Sequence, residues 1–442
     1  MAQHLDPIVV VGAGVFGLSI ALELRQRGHT NITVIDRMLP PVADGSSNDA
    51  NRIIRPDYVD PFYARIATEA VREWNAGDLY RPHYHQAGFA LVSETEPGRD
   101  EFLERGKRAI ERQGNRYVEF ATTDELRRLR PELRDMTFPF SGYISKNAGW
   151  ADAAGAVRAV AARCSELGIA FVTGPRGTMT SLKTDAGHSR VVGVNVAAGP
   201  PLLAAKVILA TGAWTNHYVD LGHAITSSAQ PVGFIQLTPE EALKLADMPV
   251  VDNMTSGIFV FPPTPGTNLL KIARHGHGFE NRIPAVAAAS SSASSSGGGG
   301  DRRVSAPRHD ANNAAASWIP EDAEAAFRGA LKQLVPLAAE KPWSRLRLCW
   351  YTETRDGNFI ADHHPDYQGL FILTGGSGHG FKFLPVLGRY TADCFEGVAA
   401  PEVQAKWKLS RDFTARDPVV CNDGSRRGPL RRELTLEERA KL

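Results

Sequence analysis

Residues 8–36 constrain the fold more than any other stretch: IVVVGAGVFGLSIALELRQRGHTNITVID. The run Ile8-Val9-Val10-Val11 lacks polar alternation, as a strand covered on both faces requires. Gly12, Gly14 and Gly17 follow in G-x-G-x-x-G spacing, and Leu18, Ile20, Ala21, Leu22 and Leu24 then recur with helical period. A second apolar strand, 32–35, ends at Asp36. The glycines have separate tasks: a tight turn, close approach of backbone to a pyrophosphate, and close packing of helix on strand. The helix start, with Val15 and Phe16, offers free N–H groups and the positive end of a dipole to phosphates. Asp36, beside Arg37, lies where a carboxylate accepts ribose hydroxyls, about 20 residues past the glycines. Strand, turn, helix, strand and acid in this order predict a dinucleotide site. NAD and FAD both satisfy it; Asp36 would repel the 2′-phosphate of NADP.

A chain of 442 residues exceeds one ordinary core, so two domains are expected. A formal net charge of +1 gives no reason to expect nucleic acid or a membrane surface as partner. No apolar run reaches the ~20 residues that span a bilayer, and the start of the chain lacks the pattern of a secretory signal. Cys164, Cys349, Cys394 and Cys421 are too few for a disulfide framework, which favours a reducing compartment. None has metal-ligand spacing, so no metal is expected. The chain ends Ala440-Lys441-Leu442, a close variant of the Ser-Lys-Leu peroxisomal address, behind the polar residues Glu437, Glu438 and Arg439. This predicts the peroxisomal import receptor as a partner and a peroxisomal location, with the cytoplasm as the alternative.

Along the chain, 37–49 reads as a loop, 61–74, 101–113, 123–129, 151–167 and 323–335 as helices, and 89–92, 169–172, 191–196 and 205–209 as strands. Strand 205–209 runs into Ala210-Thr211-Gly212-Ala213-Trp214, where a nucleotide-binding domain takes back the chain; Thr211, Gly212 and Trp214 are expected at the cofactor. Segments 230–237 and 257–261 alternate like an antiparallel sheet. The run 285–300, AVAAASSSASSSGGGG, cannot bury enough apolar surface to order itself. Past Lys406 a basic tail is expected to wrap the surface. The expected fold is α/β, α+β overall: a Rossmann-like nucleotide domain from 1–90, 151–224 and 345–400, a substrate domain with a mixed or antiparallel sheet from 91–150 and 225–344, and a tail at 401–442.

Four stretches together resemble one family: the glycine unit, GSSNDANRIIRPDY (45–58), LLKIARHG (269–276), and LCWYTETRDGNFIADHHP (348–365) with TGGSGHGFKFLPVLG (374–388). The chain is similar to the monomeric sarcosine oxidase group of FAD amine oxidases, and within it to fungal L-saccharopine oxidases and fructosyl amino acid oxidases. The resemblance runs from about residue 8 to 397, outside the Ser/Gly insert. It implies FAD, attached as a thioether through Cys349 in the L-C-W-Y-T segment. It implies that Lys271 activates oxygen, as a fixed cation stabilises negative charge developing on O₂. It implies that Arg55 and Lys382 clamp the carboxylate of an amino acid, the guanidinium by a bidentate pair and the ammonium as a point charge. Arg52 then supports the flavin side, and Ser46, Ser47 and Asp49 bond phosphate or ribose. The backbone of Gly376, Ser377, Gly378, Gly380, Phe381 and Lys382 lies against the flavin, with His379 structural. His275 and His277 either line the substrate cavity or sit in loops, and Arg411 is expected to reach a distal acid group of the substrate. The implied reaction oxidises the C–N bond of a secondary amine in an N-substituted amino acid, giving an imine that hydrolyses to a carbonyl compound and an amine, with O₂ reduced to H₂O₂. The implied substrates are saccharopine-, N-methyl- or pipecolate-like. Alternatives are a deglycating oxidase, a specialised-metabolism N-methyl amine oxidase, or a flavin dehydrogenase that does not use O₂. The protein is expected to be a monomer.

Overall fold

The computed structural model describes residues 5–286, 302–308, 313, 317–411 and 424–442. Strand β1 (Ile8–Val11) is buried along its whole length. It pairs in parallel with β2 (Ile32–Ile35) on one side and with Lys206–Leu209 on the other, Val10 lying opposite Val34 and Ile208. Ala170–Val172 extends this sheet beyond β2. Leu370–Thr374 extends it beyond Lys206–Leu209, with Ile360–His363 as its antiparallel edge. Residues distant in sequence thus share one six-stranded sheet. Helix α1 (Val15–Gln26) packs between the helices Ala153–Glu166 and Leu384–Phe395 in a common apolar core. Gly17 makes that possible, because a Cβ there would lie 1.9 Å from the Gly12 carbonyl oxygen.

A ten-stranded sheet forms the second body. Its spine is the long antiparallel pair Thr226–Gln236 and Trp343–Glu353, with Leu269–Arg274 on the other side of the first strand. Ile258–Val260, Val250–Asn253, Phe89–Ser93, Ser141–Ser145 and Tyr117–Phe120 continue it outward. Helix Glu321–Leu334 covers an apolar cluster on this sheet. A short sheet joins β3 (Arg52–Ile54) to Gly149–Ala151 and Tyr84–His85.

Several expectations shift. The proposed boundary at residue 90 cuts through Phe89–Ser93, which pairs with Ser141–Ser145 and Val250–Asn253 in the large sheet. The strand carrying Cys349 also belongs to that sheet, because its ladder partner is Thr226–Gln236. The segment starting at 345 therefore enters from the large sheet before it reaches the nucleotide sheet. Nor is the tail a surface wrap only: Trp407 is fully buried, Arg432–Glu433 pairs in parallel with Phe279–Glu280, and Ser425 and Arg426 lie inside. A capping box at Thr435 and Glu438 starts the last helix, Leu436–Ala440. Leu442 packs against the large-sheet core, and Lys441 Nζ lies 5.4 Å from the Trp318 ring. Most of the Ser/Gly run, from 287 on, lies outside the described residues, as does Cys421. Among the described residues no helix is long and apolar enough to cross a membrane.

Candidate active site

Two cavities meet at one wall. The first, about 200 Å³, runs along the glycine turn. The second, about 640 Å³, opens over the large sheet. Arg52, Cys349, Tyr351, Gly378 and Phe381 line both.

The first cavity has the lining and donors of a dinucleotide cradle. Gly12 has φ of 110°, and a Cβ there would sit 2.3 Å from the Ala210 carbonyl oxygen. A Cβ at Gly14 would come within 2.9 Å of Ser47 Oγ, at the start of α1. The first amides of a helix have no acceptor within it; Val15 N–H donates to Ser47 Oγ at 2.9 Å, and Phe16 and Gly17 follow it at the positive end of the helix. Asp36 accepts from Ala13 N–H at 2.8 Å and from Arg37 N–H at 2.7 Å. Burial raises its pKa, while those two amides pull it back. Arg37 pairs with Asp44 at 2.7 Å and stacks 4.8 Å from the Trp214 ring. Thr211, Gly212 and Trp214 line the cavity, as do Ser46, whose hydroxyl donates to the Trp350 carbonyl at 2.5 Å, and Gly376 and Gly380. A Cβ at Gly380 would lie 2.8 Å from Phe16. A cleft lined by glycines whose neighbours leave no room for a Cβ, with a helix start and an acid beside it, fits the ADP half of FAD.

Other expected cofactor contacts lie elsewhere. Gly17 packs α1 on the sheet and lines neither cavity. Ser377, His379 and Lys382 line the second cavity, not the first. Asp49, expected at phosphate or ribose, lines neither. Its side chain is fully buried, with Oδ2 accepting from Lys271 Nζ at 2.8 Å, ion-paired with Arg52, and 3.8 Å from Arg347. Those three cations hold its pKa far below the ordinary carboxylate value, against the cost of burial.

The second cavity collects the expected catalytic cations. Lys271 is 2% exposed and donates to Asp49 and to the Asn51 carbonyl at 2.7 Å. Its Nζ also lies 4.7 Å from the Phe261 ring. Burial lowers its pKa to about 7; Asp49 pulls it up, and Arg52 and Arg347 push it down. Two acceptors on one Nζ suit the ammonium form. Arg52 spans the junction, its Nη2 2.8 Å from the Ser46 carbonyl and 3.4 Å from Cys349 Sγ. Arg55 lies over Tyr58 and Phe89 and donates to the Asp57 carbonyl. Lys382 Nζ donates to Tyr58 Oη at 2.8 Å, and that hydroxyl also lies 2.9 Å from His379 Nδ1. His379 Nε2 is 2.8 Å from the Gly357 carbonyl, which makes it a strut. His275 faces the cavity between Tyr351 Oη (3.2 Å) and Ser425 Oγ (3.1 Å); His277 does not line it.

Arg411 is a correction. Its guanidinium donates to the carbonyls of Phe359, Lys406 and Lys408 at 2.8–3.0 Å, and Nε lies 3.0 Å from Asp356 Oδ2. It braces the end of helix Pro401–Trp407 and lines neither cavity, so a distal substrate acid is out of its reach. Sequence reasoning missed Asp57, Tyr58, Tyr351 and Asp252 on the cavity wall. Asp57 and Tyr58 stand within the 45–58 motif and could have been found there; Asp252, in a plain apolar strand, gave no signal.

Comparison with known proteins agrees with this geometry. The sequence matches the family described as FAD dependent oxidoreductase over residues 7–394. It is 28% identical to the L-saccharopine oxidase of Schizosaccharomyces pombe over 422 residues, covering 93% of this chain and 94% of that one. It is 25% identical to a monomeric sarcosine oxidase of Bacillus sp. over 390 residues, covering 87% and 90%. The structure of a fructosyl peptide oxidase from E. terrenum superposes with a TM-score of 0.85 at 28% identity, covering 98% and 97%. With the glycine cradle, the return of strand Lys206–Leu209 and the match over most of its length, this chain belongs to the FAD dependent oxidoreductase family.

Proposed function

We propose that the chain is an oxidase of secondary amines in N-substituted amino acids, using FAD and O₂ and releasing an imine and H₂O₂. One observation carries this reading: a cofactor cradle and a second cavity meet at Cys349, and the second cavity holds Arg55, Lys382 and Lys271. When bound, FAD supplies the two-electron chemistry that oxidises the C–N bond and reduces O₂. The chain's part is positioning and charge. Arg55 and Lys382 take the substrate carboxylate, and the Tyr58 hydroxyl steadies the Lys382 ammonium. Phe259, Phe261 and Phe381 give the same cavity apolar faces for the rest of the substrate. Lys271 offers a fixed positive charge where O₂ becomes negative. The kinship with S. pombe L-saccharopine oxidase and Bacillus sarcosine oxidase supports secondary amines as the class, and the fructosyl peptide oxidase makes fructosyl amino acids the second class to assay. Peroxide assays over saccharopine, pipecolate, N-methyl amino acids and fructosyl-lysine test the reading.

Covalent attachment through Cys349 is part of the proposal. Its sulfur borders both cavities, and the Arg52 guanidinium lies 3.4 Å from it. Acid precipitation should leave the yellow colour in the pellet for the native protein and in the supernatant for Cys349→Ser; free flavin from the native protein would sink the claim. The kinship with the Bacillus monomeric sarcosine oxidase supports a single chain as the functional unit, which size-exclusion chromatography with light scattering tests. A peroxide-forming reaction suits a peroxisomal address at Ala440–Leu442. Because Leu442 packs against the body, import requires that last turn to detach. A fluorescent fusion carrying the native C-terminus should be punctate, and should turn diffuse on removal of Lys441 and Leu442.

A further inference from the structure

The second cavity contains more negative charge than the proposed reaction uses. Asp57 is 2% exposed, and its Oδ1 accepts from Ser145 Oγ at 3.2 Å. Its Oδ2 is buried and has no hydrogen-bond partner, and the residue lines the cavity. Asp252 stands mid-strand, with Leu91 and Phe259 as its ladder partners. It lines the same cavity, and its buried Oδ1 is likewise without a partner. A buried carboxylate oxygen left unpaired costs far more than a satisfied one, so two on one cavity wall point to a donor that arrives with the ligand.

Charge balance indicates what kind of donor. Arg55 faces both acids and Lys382 faces Asp57, but among the described residues no ion pair joins either acid to a cation. Arg427, the other cation facing Asp252, spends its guanidinium on the carbonyls of Met254 and Gly424. Once a substrate carboxylate occupies Arg55 and Lys382, those two would serve three anions, since Arg105, Arg274 and Lys406, also on the lining, do not act on either acid. A neutral donor would leave that imbalance; a ligand ammonium removes it. The free state bears the same mark, since burial raises Asp57 to about 6 and Asp252 to about 7, against the pull of Arg55.

We propose that Asp57 and Asp252 form a cation subsite in the substrate cavity, so that the preferred substrate is an amino acid amine with a second, positively charged group. This rests on the oxidase reading above and narrows its substrate class. The test uses Nα-methyl amino acids whose side chains end in an ammonium or, at equal length, in a methyl or a carboxylate. The best ammonium member should exceed its methyl counterpart about tenfold or more in kcat/KM, as expected for one charge-assisted hydrogen bond. Asp252→Asn should erase most of that ratio. Thioether analogues, with sulfur in place of the reacting nitrogen, report the same preference as binding by calorimetry. Ammonium-tailed thioethers that bind tighter without any turnover of the amines would leave the subsite standing and sink the oxidase reading. Equal or weaker binding of the ammonium series, or a preference that survives both Asp252→Asn and Asp57→Asn, would overturn the subsite.

Discussion

Lys271→Met slows the reaction with O₂ by about 10²–10³-fold, the scale of removing one preorganised charge from a developing anion. Anaerobic bleaching by substrate persists in the same variant, because Arg55 and Lys382, the proposed carboxylate clamp, are untouched. Stopped-flow mixing of the bleached protein with O₂ reads the first effect, and anaerobic mixing with substrate the second. Unchanged oxygen turnover would remove Lys271 from its role and favour a dehydrogenase with another acceptor. The wild type adds a pH signature. With its pKa lowered to about 7, Lys271 loses its charge as pH rises through that value, so the oxygen step slows there, and the Met variant lacks this dependence. The stability effect has the opposite direction. Between about 7 and the ordinary 10.5 the unfolded chain binds more protons at this lysine, so its burial penalty is full below that window and fades as pH rises.

Asp49→Asn destabilises the protein by about 3–5 kcal/mol, the cost of leaving a buried charge cluster without its counter-charge. Asp49 is the carboxylate shared by Lys271, Arg52 and Arg347, and its side chain has no exposure. Urea unfolding at matched cofactor occupancy measures the loss. Asp49 also raises the Lys271 pKa, so the pH dependence of the oxygen step should move to lower pH in the variant. A purely structural Asp49 would lower stability and leave that profile in place. Unchanged stability would mean the three cations find other acceptors.

The parallel sheet was legible because its signals are local. Residues 8–36 carry strand, turn and helix in one window, and helix 61–74 was found as Pro61–Ala76 because Asp60 caps it and Pro61 starts it. The proposed catalytic cations were legible as motifs, and the resemblance supplied the roles proposed for them. What failed depended on direction. Asp49 stands beside Ser46 and Ser47 in sequence, yet its carboxylate turns inward to a lysine 222 residues away. Arg411 had the right charge in the right tail, but the nearby carbonyls of Lys406 and Lys408 hold its guanidinium. Asp252 became part of the cavity only when Val250–Asn253 paired with Phe89–Ser93. Long-range pairing also moved the Cys349 strand into the large sheet, where no local period could have assigned it.

The central claim is that this chain oxidises secondary amines next to a carboxylate and delivers the electrons to O₂. Anaerobic mixing of the purified yellow protein with N-methyl amino acids, saccharopine, pipecolate and fructosyl-lysine, followed by a pulse of O₂, tests it most directly. At least one secondary amine should bleach the flavin, and O₂ should restore the colour with one H₂O₂ per flavin. Bleaching by none of them, or by primary amines alone, would contradict it.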